Sequence, residues 1–184
     1  MLPQLTGAVA ETTACAALFG IEPVLNQEAT KARVLAALRS SKYVHIAAHG
    51  EHNVDSPAFQ AVHCATEDGS EGRLFAYELL TEDLTGLELI TLSACETGLG
   101  RIDRADNLRG IPAALLLAGV RNIVATMWPI FDKAASYFFS RLYEQLASGY
   151  DVWNAFHTAQ HLTRTRYPQY RDWGAFALMG CPPR

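Results

Sequence analysis

The amino-acid sequence predicts an α/β fold of three layers, in which helices cover both faces of a mostly parallel central sheet. Short apolar runs of strand length alternate along the chain with longer segments whose apolar residues recur at helical spacing. Two of the runs, 43–48 and 87–94, are apolar on both faces, as buried parallel strands are. Strands that alternate with helices in this way favour a sheet with helices on either side.

Five helices are predicted from apolar stripes and from the residues at their ends. A glycine follows three of them, at Gly20, Gly119 and Gly149, where glycine closes a helix without a steric penalty. The predicted ranges are 7–20, 29–41, 108–118, 133–147 and 152–166.

Five strands are predicted from apolar runs of four to eight residues. Their ranges are 22–25, 43–48, 87–94, 123–128 and 176–179. A polar, turn-rich segment, 51–83, separates the two buried strands, and we expect it to lie over a site. A small hairpin is predicted within it, with 59–63 paired to 73–75 and Asp68 and Gly69 in the turn.

Length and composition favour one domain over residues 1–184. A chain of 184 residues with 49% hydrophobic residues can bury a substantial core. The abrupt start at Met1–Leu5 predicts that the chain is the C-terminal part of a longer protein.

The charge pattern argues against two classes of partner. With 15 Lys+Arg against 19 Asp+Glu, the net charge is -4, and no basic surface is predicted for nucleic acid. The sequence has no apolar run of about 18 residues and no signal-peptide pattern, so no membrane partner is predicted and a cytoplasmic location is expected.

The four cysteines (Cys15, Cys64, Cys95 and Cys181) are widely scattered, which argues against a disulfide framework.

Two reactive side chains follow the two buried strands. His49 and Gly50 come after the first strand, and Cys95 comes after the second. Because sites in open α/β sheets form outside the carboxyl ends of the strands, neighbouring strands would bring an imidazole and a thiol together. That pair predicts covalent catalysis by cysteine, with Cys95 as nucleophile and His49 as its acid and base. The N–H groups of Gly50 and Cys95 are the candidate oxyanion donors.

Other chemistries fit the sequence less well. His45 and His49 share one face of a strand, as two zinc ligands would, but the nearby His52, His63 and Cys64 match no compact zinc pattern, and no metal is expected. Gly98-Leu99-Gly100 follows a strand, but the third glycine of a dinucleotide fingerprint is replaced by Asp103. No cofactor is therefore predicted.

Four segments together resemble a known family, the CHAT family of caspase-like domains found next to tetratricopeptide repeats. They are 45–50 (HIAAHG), 92–100 (LSACETGLG), 118–129 (AGVRNIVATMWP) and 172–176 (DWGAF). The resemblance extends from Leu2 to Gly180, and the order of histidine before cysteine also suits caspases.

The resemblance implies a caspase-like fold and a cysteine endopeptidase that cleaves peptide bonds through a thioester. It places the dyad at His49 and Cys95, with Gly50 and Cys95 as oxyanion donors and with no metal or cofactor. It also implies that Ser93 lines the pocket for the side chain before the cut and that Asp132 receives a basic side chain. The expected partners are a protein or peptide substrate and regulatory domains or a sensor protein.

The serious alternative is a catalytically dormant module that keeps the fold for regulated interactions. Both dyad positions and Gly50 are present in this chain. That retention favours the peptidase.

Overall fold

The computed structural model of the protein describes residues 6–51, 53, 55–67, 69, 71–93 and 110–182. In the part of the chain that is described, the α-helices are α1 Thr6–Ala17, α2 Lys31–Ser40, α3 Ala76–Leu79, α4 Ile111–Leu117, α5 Asp132–Ala147, α6 Val152–Arg166 and α7 Tyr170–Trp173. The strands are β1 Tyr43–Ile46, β2 Gly50–Glu51, β3 Ala61–His63, β4 Arg73–Phe75, β5 Leu89–Leu92, β6 Asn122–Thr126 and β7 Phe176–Gly180.

The main sheet has four strands in the order β1-β5-β6-β7. β1, β5 and β6 pair in parallel, and β7 runs antiparallel to β6. The prediction of a mostly parallel sheet is therefore confirmed. The three parallel strands end on one side of the sheet, which is called the carboxyl edge below.

Alternate residues of each strand enter two separate cores, since successive side chains of a strand point to opposite faces. On β5, Ile90 and Leu92 face the first core, whereas Leu89 faces the second. On β6, Ile123 and Val124 divide between the two cores in the same way. Both faces of these strands are buried, which explains their continuous apolar sequence.

Helices cover each face and complete the three predicted layers. The first core receives Leu38 from α2, Leu79 from α3 and Leu115 from α4. The second core is built around α5 and α6, which contribute Phe138 and Phe156. The predicted three-layer arrangement is thus confirmed.

The ends of the predicted helices are held by the residues expected from the sequence. Gly20, Gly119 and Gly149 have φ values of 65°, 101° and 89°, in the left-handed region that glycine adopts at helix ends. Asp151 caps α6, and its carboxylate accepts from the backbone N–H of Trp153 and that of Asn154, each at 3.0 Å.

A second, smaller sheet holds the predicted hairpin. β3 and β4 pair antiparallel, as expected, with Val62 opposite Leu74. A third strand, β2, pairs with the other side of β3. β2 was not predicted, because two residues show no periodicity. The helices α3 and α7 were not predicted either, because four residues are too few to show a helical period.

One predicted strand is wrong. Residues 21–25 form no strand and are followed by a short 3-10 turn, Asn26–Glu28. Pro23 lies in this segment and lacks the N–H that a strand ladder requires.

Within the described residues, no helix is both long and apolar enough to cross a membrane.

The packing around Phe138 leads to a prediction about stability. Phe138 is fully buried, and its ring stacks on Phe176 with centroids 3.6 Å apart. Because removal of the ring would leave a cavity, Phe138→Ala should lower the free energy of unfolding by about 3–5 kcal/mol in urea titrations. Phe131, which is 61% exposed, is the matched control. Phe131→Ala should cost less than about 1 kcal/mol, and equal costs would contradict this account of the core.

Candidate active site at the carboxyl edge

The carboxyl edge brings the strands of the predicted dyad side by side. β1 pairs in parallel with β5, and Ile46 lies opposite Leu92 at the end of the ladder. One residue further, the N–H of Ser93 donates to the carbonyl of Ile46 at 2.8 Å. The two strands therefore end at the same edge, with Ser93 bonded to Ile46.

His49 lies three residues beyond β1, at the beginning of the small sheet. The prediction had the strand run to residue 48, but the ladder ends at Ile46. The carbonyl of His49 accepts from the N–H of His63 at 2.9 Å, so the small sheet holds its backbone in place. Its side chain is half-buried beside the edge.

Cys95 lies outside the described residues, as does the whole segment 94–109. The pairing of Cys95 with His49 therefore stays a prediction, and so does the role of the Cys95 N–H. Ser93, two positions earlier, is described and half-buried at the end of β5. The structure places this predicted pocket residue at the carboxyl edge.

Gly50 has a backbone orientation that bears on its predicted role. In an antiparallel ladder, hydrogen-bonded pairs alternate with pairs that are not hydrogen-bonded. The bond from His63 to His49 makes those two residues a hydrogen-bonded pair, and Gly50 and Val62 are the next pair. The N–H of Gly50 consequently points away from β3.

Asp132 is the first residue of α5, which follows β6 at the carboxyl edge. Phe131 occupies the N-cap position of this helix, and Asp132 follows it. Asp132 is exposed, and one carboxylate oxygen lies against Gly7, where an added Cβ would be 3.0 Å away. A carboxylate in the first turn also interacts favourably with the helix dipole. Asp132 lines an open groove of about 450 Å³ between α1 and α5.

Gln60 is a buried polar residue beside the small sheet that the sequence analysis did not single out. It is buried in the segment between the two buried strands, and its side-chain oxygen accepts from the N–H of Ile111 at 3.3 Å. Gly110 has a φ of 86°, and a Cβ at this position would lie only 2.0 Å from the Gln60 oxygen. Gln60 thus fixes the start of α4, where the chain returns from segment 94–109. A lone glutamine gives no pattern by which to find it.

Both ring nitrogens of His45, a zinc-ligand candidate from the sequence, lie within hydrogen-bond distance of other side chains. Nδ1 lies 2.6 Å from the hydroxyl of Thr91, and Nε2 lies 3.1 Å from a carboxylate oxygen of Glu11. In the described part of the chain, no three His, Cys, Asp or Glu residues are grouped as metal ligands.

The described cysteines differ in their surroundings. Burial raises the pKa of the Cys15 thiol to about 12, and the nearby carboxylate of Glu11 adds to this shift. Burial also raises the pKa of the Cys64 thiol, to about 11. Cys181 is exposed. Because the thiolate is the reactive form, Cys15 and Cys64 are poorly suited to be nucleophiles near neutral pH.

Comparison with known proteins identifies the family. The CHAT domain family model matches residues 1–181. The resemblance found in the sequence is therefore confirmed.

Two curated relatives carry the name tetratricopeptide repeat protein 28. The Mus musculus protein is 25% identical over 198 residues, which cover 89% of this chain and 8% of the relative. The Homo sapiens protein is 23% identical over 197 residues, with the same coverage of each. This chain thus corresponds to less than a tenth of the length of these relatives.

A solved structure has the same fold. The crystal structure of the Arg-specific cysteine proteinase gingipain R superposes with a TM-score of 0.68 and 14% identity. The superposition covers 95% of this chain and 41% of the proteinase chain. At this identity the likeness establishes the fold alone.

The thiol environments lead to a prediction about alkylation. At pH 7.5, iodoacetamide should modify Cys181 in the folded protein and leave Cys15 and Cys64 largely unmodified, as measured by peptide mapping. Their modification should rise only as the pH approaches 11 for Cys64 and 12 for Cys15. In urea all three should react with the pH dependence of an ordinary thiol, whose pKa is about 8.5. Rapid labelling of folded Cys15 at neutral pH would contradict its burial.

Proposed function

This chain belongs to the CHAT domain family, and we propose on that premise that it is a cysteine endopeptidase with His49 and Cys95 as its dyad. The observation that carries the proposal is the parallel pairing of β1 with β5, which ends in the bond from Ser93 to Ile46. Two residues after this bond the chain reaches Cys95, and three residues after Ile46 it reaches His49.

The proposed reaction begins with attack of the Cys95 sulfur on the carbonyl carbon of a peptide bond. His49 takes the thiol proton and passes it to the leaving amine, so the C–N bond breaks and a thioester remains. Water then adds to the thioester and gives its proton to His49. The product acid leaves, and the thiol is restored.

Two backbone donors are proposed to stabilise the oxyanion of each step. The Gly50 N–H points away from β3, and the absence of a side chain lets a substrate carbonyl come close to it. The N–H of Cys95 is the second donor. Loss of one such donor typically costs about 3 kcal/mol of transition-state stabilisation.

For substrate, we propose a protein or peptide with a basic side chain before the cut. Ser93 would line the pocket, and the exposed carboxylate of Asp132, at the start of α5, would receive the charge. Gingipain R, which shares the fold, is an Arg-specific proteinase. Regulatory domains or a sensor partner are proposed to control the activity, since the matched relatives are much longer proteins named for tetratricopeptide repeats.

The dyad can be tested with an arginine peptidyl chloromethyl ketone, an electrophile that alkylates an activated thiol. Wild type should be labelled at Cys95, as identified by mass spectrometry. Cys95→Ala should abolish labelling, and His49→Ala should reduce its rate by at least about 100-fold, since the thiol then lacks its base. Both variants should retain the circular dichroism spectrum of the wild type.

Cys181→Ala, Cys15→Ala and Cys64→Ala are the matched controls and should label like the wild type. Equal labelling of wild type and Cys95→Ala would reject the peptidase and favour the dormant interaction module.

The role of Asp132 can be tested by neutralising it. Asp132→Asn should reduce kcat/KM for an arginine peptide by about 10–100-fold, because the substrate cation loses its charged partner. Cleavage of a matched peptide with citrulline before the cut should change less than threefold. Glu22→Gln, an exposed carboxylate in the segment that follows α1, controls for net charge. If Asp132→Asn lowers kcat/KM equally for the arginine and the citrulline peptides, Asp132 does not select the basic side chain.

A further inference from the structure

A chain of buried polar groups lies beneath the proposed site. Glu11 of α1 bonds to Nε2 of His45 at 3.1 Å, and Nδ1 of His45 bonds to the hydroxyl of Thr91 at 2.6 Å. The hydroxyl of Thr91 in turn lies 2.7 Å from that of Tyr143 on α5. Tyr143 also donates to the carbonyl of Val44 at 3.3 Å. These contacts connect α1, β1, β5 and α5 on one face of the sheet.

The position of this network in the sheet relates it to the dyad. His45 and Thr91 lie directly opposite each other in the ladder between β1 and β5. His49 and Cys95 each come four residues later on their respective segments. The bond from His45 to Thr91 is therefore a side-chain bridge between the two strands that carry the proposed dyad, just before those strands end.

Simple packing does not explain these side chains. The side chains of Glu11 and His45 are only 4% and 6% exposed, and Thr91 is fully buried. A buried pair of polar side chains often stabilises a protein no more than apolar residues of the same volume would. The same face of the sheet is otherwise lined by apolar residues such as Leu89 and Val124. A polar group in this place points to a role in orientation.

The contacts also fix the orientation of the His45 ring. Nε2 faces the carboxylate of Glu11 and Nδ1 faces the hydroxyl of Thr91, so the ring is held at both nitrogens. Burial raises the pKa of Tyr143, which keeps its hydroxyl protonated as a donor at the far end.

We infer that Glu11, His45 and Thr91 are positioning residues that fix β1 against β5 and thereby set the distance between His49 and Cys95. The inference rests on the proposed function for its catalytic meaning. Its structural content is that the end of the ladder between β1 and β5 loosens when the network is broken.

The Ser93 amide reports directly on this end of the ladder, because it donates to Ile46. Hydrogen exchange followed by NMR should show Ser93 exchanging at least about tenfold faster in Thr91→Val and in Glu11→Gln than in wild type. Met127, whose amide donates to Ala175 on another strand pair at the same edge, serves as the internal reference. Met127 should change much less than Ser93.

Two variants separate positioning from a general loss of stability. Thr91→Ser keeps the hydroxyl and should restore the wild-type exchange of Ser93. Thr163→Val removes another fully buried hydroxyl, which donates to the carbonyl of Ala159 within α6 at 2.7 Å. This variant should leave the ratio of the Ser93 exchange rate to the Met127 exchange rate unchanged. A parallel rise at both amides in Thr91→Val would mean that the network only stabilises the fold, and it would overturn the inference.

Labelling of Cys95 is the second readout. Thr91→Val should slow labelling by about tenfold or more, since displacements near 1 Å already cost large factors in rate. Thr163→Val should not slow it. Absence of labelling in wild type would reject the proposed function and leave the exchange result to decide the inference. Unchanged Ser93 exchange with normal labelling in Thr91→Val would reject the inference alone.

Discussion

The parallel pairing of β1 with β5 is the constraint on which the site depends. Parallel neighbours end at the same edge of a sheet, so the segments that follow them leave from the same side. Here the ladder runs to Ile46 and Leu92 and is closed by the Ser93 amide. Both strands are held from two sides, because their alternate residues enter separate cores. A rigid base of this kind allows the segments beyond it to carry reactive groups.

The small sheet adds a second constraint that the main sheet cannot supply. Between β1 and Gly50 the chain leaves the main ladder, and the bond from His63 to the His49 carbonyl returns it to regular pairing. That bond sets the alternation along β2 and so turns the Gly50 N–H away from β3. Gln60, two residues before Val62, holds Ile111 at the far end of segment 94–109. The small sheet therefore holds the backbone of His49 and the orientation of the Gly50 N–H, and Gln60 beside it holds the N–H of Ile111.

The sequence predicted what depends on periodicity and missed what depends on single contacts. The range of α6 was predicted to the residue, because its apolar stripe and the following break are both local signals. β2 was missed, since a two-residue strand exists only through its pairing with β3. The two strands and the residues of the candidate dyad followed from motif and position, and the structure makes these strands neighbours. The network around His45 was invisible, because Glu11 is distant in sequence and nothing local marks it as buried.

The first helix connects the proposed specificity residue to the proposed positioning network. Near its start, Gly7 lies against the carboxylate of Asp132, and one turn later Glu11 bonds to His45. The described residues that α1 buries well are Glu11, Cys15 and a single alanine, so the bond between Glu11 and His45 contributes to its docking. A small shift of α1 along the sheet would therefore disturb Asp132 and His45 together. The proposed substrate selection and the proposed positioning of the dyad would in this way be coupled through one helix, and a domain or partner that moved α1 would change both at once.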